Sequence, residues 1–256
     1  MRILKLGQML GGSNAPSGGY ENLYSLDFDG VDDYVNCGND ASLRPTAAFT
    51  ANIWFKLAQN DSSSQMRLMG NFANSGFFIR WDAKRIQTFL RVNGVSQNNK
   101  TGFNKFKSGQ HYHRANNWHM VTLTFDGEFI KLYIDGALEN SGGIPTIDLG
   151  STGNTIDYTD TDLTFARHTS LNNQFWSGLL DEASVFGRAL TPAEISEYWN
   201  DGTPTDLSGE SNLLGYWRMG DTAGPSVFPT IEDFSSNSND GTMINMVSGD
   251  IVTDVP

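Results

Sequence analysis

The chain has 256 residues, of which 38% are hydrophobic, with 17 basic and 29 acidic side chains giving a net charge of −12. That is enough apolar material for one large core, while the charge argues against a nucleic-acid partner, which needs clustered Lys and Arg, and suits a cation held between carboxylates. The lone Cys37 leaves no intrachain disulfide and no zinc or thiol-redox motif, and reads as a small buried residue; no apolar run approaches the ~20 residues that span a bilayer.

In chain order, residues 1–22 read as an arm and a flexible linker. Ile3, Leu4, Leu6, Met9 and Leu10 make a short apolar arm interrupted by Arg2 and Lys5, which is a poor signal-peptide core. It is either a frayed terminus or a segment that docks on a partner. GGSNAPSGG at residues 11–19 has linker composition.

From Leu23 the period is two. Phe49, Ala51, Ile53, Phe55 and Leu57 alternate with Thr50, Asn52, Trp54 and Lys56, predicting a strand with one face in the core. Ile86, Thr88, Leu90 and Val92 repeat this before a turn at Asn93-Gly94. Val121, Leu123 and Phe125, then Asp126-Gly127, then Ile130, Leu132 and Ile134 predict a hairpin with a two-residue type I′ turn. A further Asp-Gly lies at 135–136. One helix is signalled near residues 192–200: Thr191 as cap, Pro192 in the first turn, Glu194 completing a capping box, and Gly202 closing the end. One helix among roughly a dozen short strands implies an all-β sandwich.

Three phrases then carry a resemblance: Leu26 to Val35 (LDFDGVDDYV), Trp118 to Gly136 (WHMVTLTFDGEFIKLYIDG), and Gly178 to Ala183 running through Arg188-Ala189-Leu190-Thr191 into the helix. As an ordered set they resemble the laminin-G-like, concanavalin A-like lectin domains. The resemblance implies a two-sheet antiparallel jelly-roll sandwich over residues 23–256. The segments Leu214 to Asp221 and Asp233 to Thr242 look like the usual start of such a domain, yet follow its closing helix. Either residues 209–256 complete the same sandwich in circularly permuted order, which is the favoured account, or they begin a truncated second copy. This order resembles structural proteins of tailed phages and marine viral genomes.

By the same resemblance, a structural calcium ion is expected on Asp29 and Asp181, with Asp33 and Glu182 as further ligands. The alternative is that Asp29 and Asp32 serve the Gly30 turn. His111 and His113 share a face if extended, but no third metal ligand is signalled. Sugar binding would use Tyr112, Tyr158 and Trp176 with Asn172 and Asn173, though no spacing fixes such a site. Catalysis is not expected: there is no G-x-S-x-G elbow, no E-x-D-x-x-E strand, and Asp181 and Glu182 are adjacent, pointing to opposite faces of an ideal strand.

The expected function is a non-catalytic binding or structural module. Its first form is a virion surface protein, a decoration, fibre or tail component, docked on virion proteins through the arm, self-associating, and binding a host cell-surface glycan. The second is a stand-alone calcium-dependent lectin; a glycoside hydrolase ranks last.

Overall fold

The computed structural model describes residues 20–58, 65–83, 85–100, 117–140, 142–221 and 224–256. The arm at Ile3, Leu4, Leu6, Met9 and Leu10, the linker, and Tyr112 with His111 and His113 lie outside the described residues.

The strands are, in chain order, β1 (Ser25–Asp29), β2 (Tyr34–Asn36), β3 (Phe49–Leu57), β4 (Met66–Gly70), β5 (Phe77–Trp81), β6 (Ile86–Val92), β7 (Val95–Lys100), β8 (Trp118–Phe125) and β9 (Phe129–Ile134). They continue as β10 (Ala137–Leu138), β11 (Thr146–Asp148), β12 (Thr164–Phe165), β13 (Ser177–Phe186), β14 (Leu213–Trp217), β15 (Thr230–Ile231), β16 (Gly241–Ile244) and β17 (Ile251–Val252). Among the described residues the one α-helix, α1, spans Pro192–Trp199.

These strands form two antiparallel sheets. The first has nine strands around β10-β9-β8-β3-β13-β1-β17, and the second runs β15-β16-β2-β12-β4-β5-β6-β7. Alternation places Phe28, Val35, Phe55, Phe77, Trp81, Leu90, Leu123, Phe165 and Trp217 in one continuous core between the sheets. Each such side chain contributes ~1.5–3 kcal/mol on leaving water. Cys37 is buried and free, as its composition suggested.

The tail is woven into both sheets: β14 pairs with β13, β16 with β2, and β17 with β1. Strands β1 and β14 follow one another along β13. Leu26 faces Leu180, whereas Trp217 faces Ala183, so β13 changes partner across Asp181 and Glu182. A register shift against β3 falls at the same place, between Asp181 and Ser184.

Three details differ from the sequence expectation. Strand β3 is buried on both faces, because α1 and the tail cover its outer side. Trp54 stacks on Trp199 with ring centroids 4.8 Å apart, in a second cluster with Ile195, Tyr198 and Tyr216. At Asp126-Gly127 only Gly127 has positive φ, so no type I′ turn forms there. The Asp126 carboxylate accepts from the Phe129 N–H at 2.6 Å and closes a longer loop instead. Type I′ geometry belongs to Asn93-Gly94 (φ 47° and 76°) and to Asp135-Gly136 (52° and 76°). At Gly136 a Cβ would lie 2.8 Å from the Cβ of Trp199, so the turn fits only as glycine. The helix opens on the expected Thr191–Glu194 capping box, but Asn200 in the left-handed region, not Gly202, first closes it.

Candidate functional site

At the end of β1, Gly30 (φ 79°) lies so close to Ser177 that a Cβ would come within 2.8 Å of it. The turn it makes gathers Asp29, Asp32 and Asp33, each of which brings one carboxylate oxygen to within 4.8 Å of the others'. Much of this acidity serves the turn itself. Asp29 Oδ1 accepts from the N–H of Val31 at 2.7 Å, and Asp33 Oδ2 from the N–H of Asp29 at 3.1 Å. Burial and the charge of Asp29 push Asp33 up to about 6, against the backbone N–H that pulls it down. A calcium ion takes 6–8 oxygens, and three carboxylates plus carbonyls and water suit that chemistry.

Asp181 and Glu182 do not join them. Asp29 pairs with Ser177 and Leu26 with Leu180, which places Asp181 about four residues along the ladder, roughly 13 Å away at ~3.3 Å per residue. The expected four-residue ligand set is therefore two separate groups.

The second group is a buried network. Asp181 and Glu182 are 0% and 1% exposed, and Glu182 has φ 47°, a strained value that breaks strict alternation at the seam of β13. Asp181 accepts from Asn22 Nδ2 at 3.0 Å and from the Glu182 N–H at 2.8 Å. Glu182 accepts from the Tyr216 hydroxyl and lies 3.8 Å from Arg218 Nε. Asp221 holds Arg218 at 2.8 Å and accepts from the N–H groups of Leu23 and Tyr24. Burial above all raises both carboxyls, and the charge of Glu182 raises Asp181 further. The network fastens the entering chain to β13 and β14.

Of the residues expected to meet sugar, Trp176 is a core residue. It is 0% exposed, with its ring edge-on to Phe55 at 5.9 Å. Tyr158 packs against the core with its hydroxyl buried, and burial raises its phenol well above the usual range. Neither offers a free ring face. Asn172 and Asn173 are exposed, in the loop that joins β12 to β13.

That loop borders the outer face of β4, β5 and β6. Phe78 and Phe89 stack there at 5.1 Å with an interplanar angle of 9°, and Phe72 packs edge-on to both. Arg67 lies over the Phe78 ring at 3.8 Å and Arg80 at 5.2 Å. Planar amides surround them. Arg67 Nη2 donates to Gln174 Oε1 at 3.0 Å, Gln174 Nε2 to Gln65 Oε1 at 3.1 Å, and Arg80 to Gln65 and Gln87. Asn98 stands opposite Phe89 in the ladder and is exposed. The signal lies in the alternation of FFIRW (β5) and IQTFLRV (β6), whose alternate members Phe78, Arg80, Gln87, Phe89 and Arg91 are absent from the core between the sheets.

Two clefts in the tail, of about 420 and 390 Å³, are lined by polar and aliphatic residues such as Ser208, Asn237, Asp240 and Val227, without an aromatic ring.

A family model described as the concanavalin A-like lectin/glucanases superfamily matches residues 29–196. No curated protein matches the chain. Among solved structures, a candidate carbohydrate-binding protein from Bacteroides ovatus aligns with a TM-score of 0.66 at 15% identity, over 91% of this chain and 60% of that one. The receptor-binding domain of botulinum neurotoxin D aligns with a TM-score of 0.53 at 19% identity, over 74% of this chain and 46% of that one. The chain thus spans less than two thirds of either, and at these identities the likeness is one of fold.

Proposed function

The chain belongs to the concanavalin A-like lectin/glucanase superfamily, and from that premise we propose that it is a non-catalytic carbohydrate-binding module whose sugar site is the outer face of β4, β5 and β6. The observation that carries the reading is the half-buried Phe89, stacked on the buried Phe78 and bordered by Gln65, Gln87, Gln174 and Asn98. Sugar rings present apolar C–H faces and a rim of hydroxyls. An aromatic surface takes the first, and amides, which donate and accept side by side, take the second.

The placement of the two adjacent acids of β13 supports binding without turnover. Glycoside hydrolysis needs two carboxyls flanking an open site, roughly 5 to 9 Å apart, whereas Asp181 and Glu182 are closed off from solvent and tied to Tyr216 and Asn22. The acidic turn of Asp29, Asp32 and Asp33 supports a calcium ion held by those three, away from the aromatic face.

The finer placement, on a virion surface, rests on the apolar arm at residues 3–10 and the Gly/Ser-rich linker behind it. Deleting residues 1–19 is expected to leave the melting temperature unchanged and to abolish incorporation into particles; unchanged incorporation refutes the anchoring role. The sugar reading is tested by a glycan array on the intact chain and on Phe89→Ala. Selective binding lost in the variant supports it, and equal binding by both moves the site elsewhere.

A further inference from the structure

The face that would hold sugar is basic in a strongly acidic protein. Arg67 on β4, Arg80 on β5, Arg91 on β6 and Lys100 on β7 belong to its strands, and Arg167 flanks it, in a chain of net charge −12. Local charge of the opposite sign to the whole marks a place where an anion is concentrated.

Among the described residues, the arginines nearest the aromatic stack are short of counter-charge. Arg67 is only 2% exposed, yet among the described residues it meets no carboxylate. Its side-chain hydrogen bond goes to the neutral amide of Gln174, and its Nε has no partner. A guanidinium removed from water without a counter-ion is an expensive arrangement. Burial, with the charge of Arg80, brings its pKa down to about 9. Arg80 meets one acid, Asp82 at 3.4 Å, and otherwise donates to the amide oxygens of Gln65 and Gln87. Arg167 lies over the Tyr34 ring at 3.9 Å, donates to the Thr169 carbonyl, and leaves its own Nε without a partner.

His168 reports the balance. Its Nδ1 accepts from the N–H groups of Ser170 and Leu171, at 3.2 Å each, so the ring proton belongs on Nε2. Burial, then the charges of Arg67, Arg80 and Arg167, hold its pKa down to about 4. The imidazole is therefore neutral at pH 7.

We propose that this face selects acidic carbohydrate, taking the carboxylate of a sugar acid or a sulfate ester among Arg67, Arg80 and Arg167 while the ring lies on the neighbouring aromatics. The proposal rests on the reading of this face as the sugar site. A guanidinium fork pairs with either oxyanion through two parallel hydrogen bonds, and the amides that now occupy those donors are neutral and readily exchanged. Nucleic acid is disfavoured as the polyanion, since the rest of the surface would repel a long phosphate backbone.

The test is calorimetric titration of the full chain with two matched pairs, oligogalacturonate against its methyl ester and dextran sulfate against dextran, with a poly(dT) oligonucleotide alongside. The expected result is binding of at least one charged member about tenfold or more tighter than its neutral partner, a difference of about 1.4 kcal/mol. Which pair responds separates carboxylate from sulfate. The preference should disappear in Arg80→Gln and Arg167→Gln, each checked for an unchanged melting temperature, and the His168 pKa read by NMR should rise on saturation because an anion offsets the three guanidiniums. Equal affinity within both pairs overturns the selectivity and leaves the sugar site standing. Binding of none of the four carbohydrates overturns both, and equally tight binding of poly(dT) overturns the assignment to carbohydrate.

Discussion

The hydroxyl of Tyr216 on β14 is hydrogen-bonded to the Glu182 carboxyl on β13, at the point where β13 gives up β1 as its neighbour and takes β14. A phenol and a carboxyl thus close a seam that backbone pairing alone leaves open, and they do so without access to water.

Removing that hydroxyl leaves a buried acceptor with no replacement from solvent. Tyr216→Phe is expected to cost ~1–3 kcal/mol, the usual penalty for an orphaned buried group, read as a lowered denaturant midpoint at unchanged slope. A variant as stable as the parent refutes the closing role of this contact.

Two titrations act on stability in opposite senses. Asp181 and Glu182 have folded pKa values raised by burial, so the folded chain holds protons that the unfolded chain releases. Their contribution is complete below the ordinary carboxylate range of ~4 and is lost as pH rises through the raised values. His168 is depressed to about 4 from 6.5. Its contribution is present above 6.5 and is lost as pH falls towards 4. Glu182→Gln is therefore expected to flatten the alkaline limb of a melting-temperature profile, and His168→Asn the acidic limb; a limb unchanged in its variant excludes that group as its source.

Calcium, if held by the turn after β1, raises the melting temperature with the logarithm of ligand over dissociation constant. That increment should vanish in Asp32→Asn, whose carboxylate is exposed and whose loss spares the turn's backbone bonds, and should persist in Asp181→Asn, which lies outside the turn. Loss of the increment in Asp181→Asn would restore the shared site that the β1–β13 register argues against.

Aromatic residues divide by role. Trp176→Ala is expected to destabilise by ~3–5 kcal/mol through an unfilled core volume, with any glycan affinity unchanged in the protein that remains folded. Phe89→Ala, half-buried on the outer face, should do the reverse, costing little stability and most of the affinity. Titration and thermal melts of the two variants decide it.

Local signals were the ones readable in the sequence. The capping box of α1 needs only residues three apart, and Asn93-Gly94 reads directly as a turn, which takes type I′ geometry in the structure. Asp126-Gly127 carries the same signature, but there the Asp126 side chain takes over a backbone bond, which composition cannot announce. The calcium set failed for a different reason: whether Asp29 faces Ser177 or Asp181 is a matter of register between strands separated by nearly 150 residues of chain. Trp176 was read as a loop aromatic because it precedes β13 without a periodic neighbour. The arginine face went unseen since following the buried alternation of β6 discards Gln87 and Phe89, and because the lack of a carboxylate near Arg67 is a fact of three dimensions.

The weaving of the tail has a mechanical side. β1 is held on one edge by β13 and, at Ser25 and Leu26, on the other by β17, while Ser25 Oγ also bonds the Asp254 carbonyl. A tug on residue 20 along the line of β1 cannot peel a single ladder open rung by rung. It must slide the strand against two neighbours together and drag Asn22 away from Asp181. A module tethered from that side and pulled through a ligand on its far sheet would carry the load in shear across its first sheet, where hydrogen bonds fail in parallel.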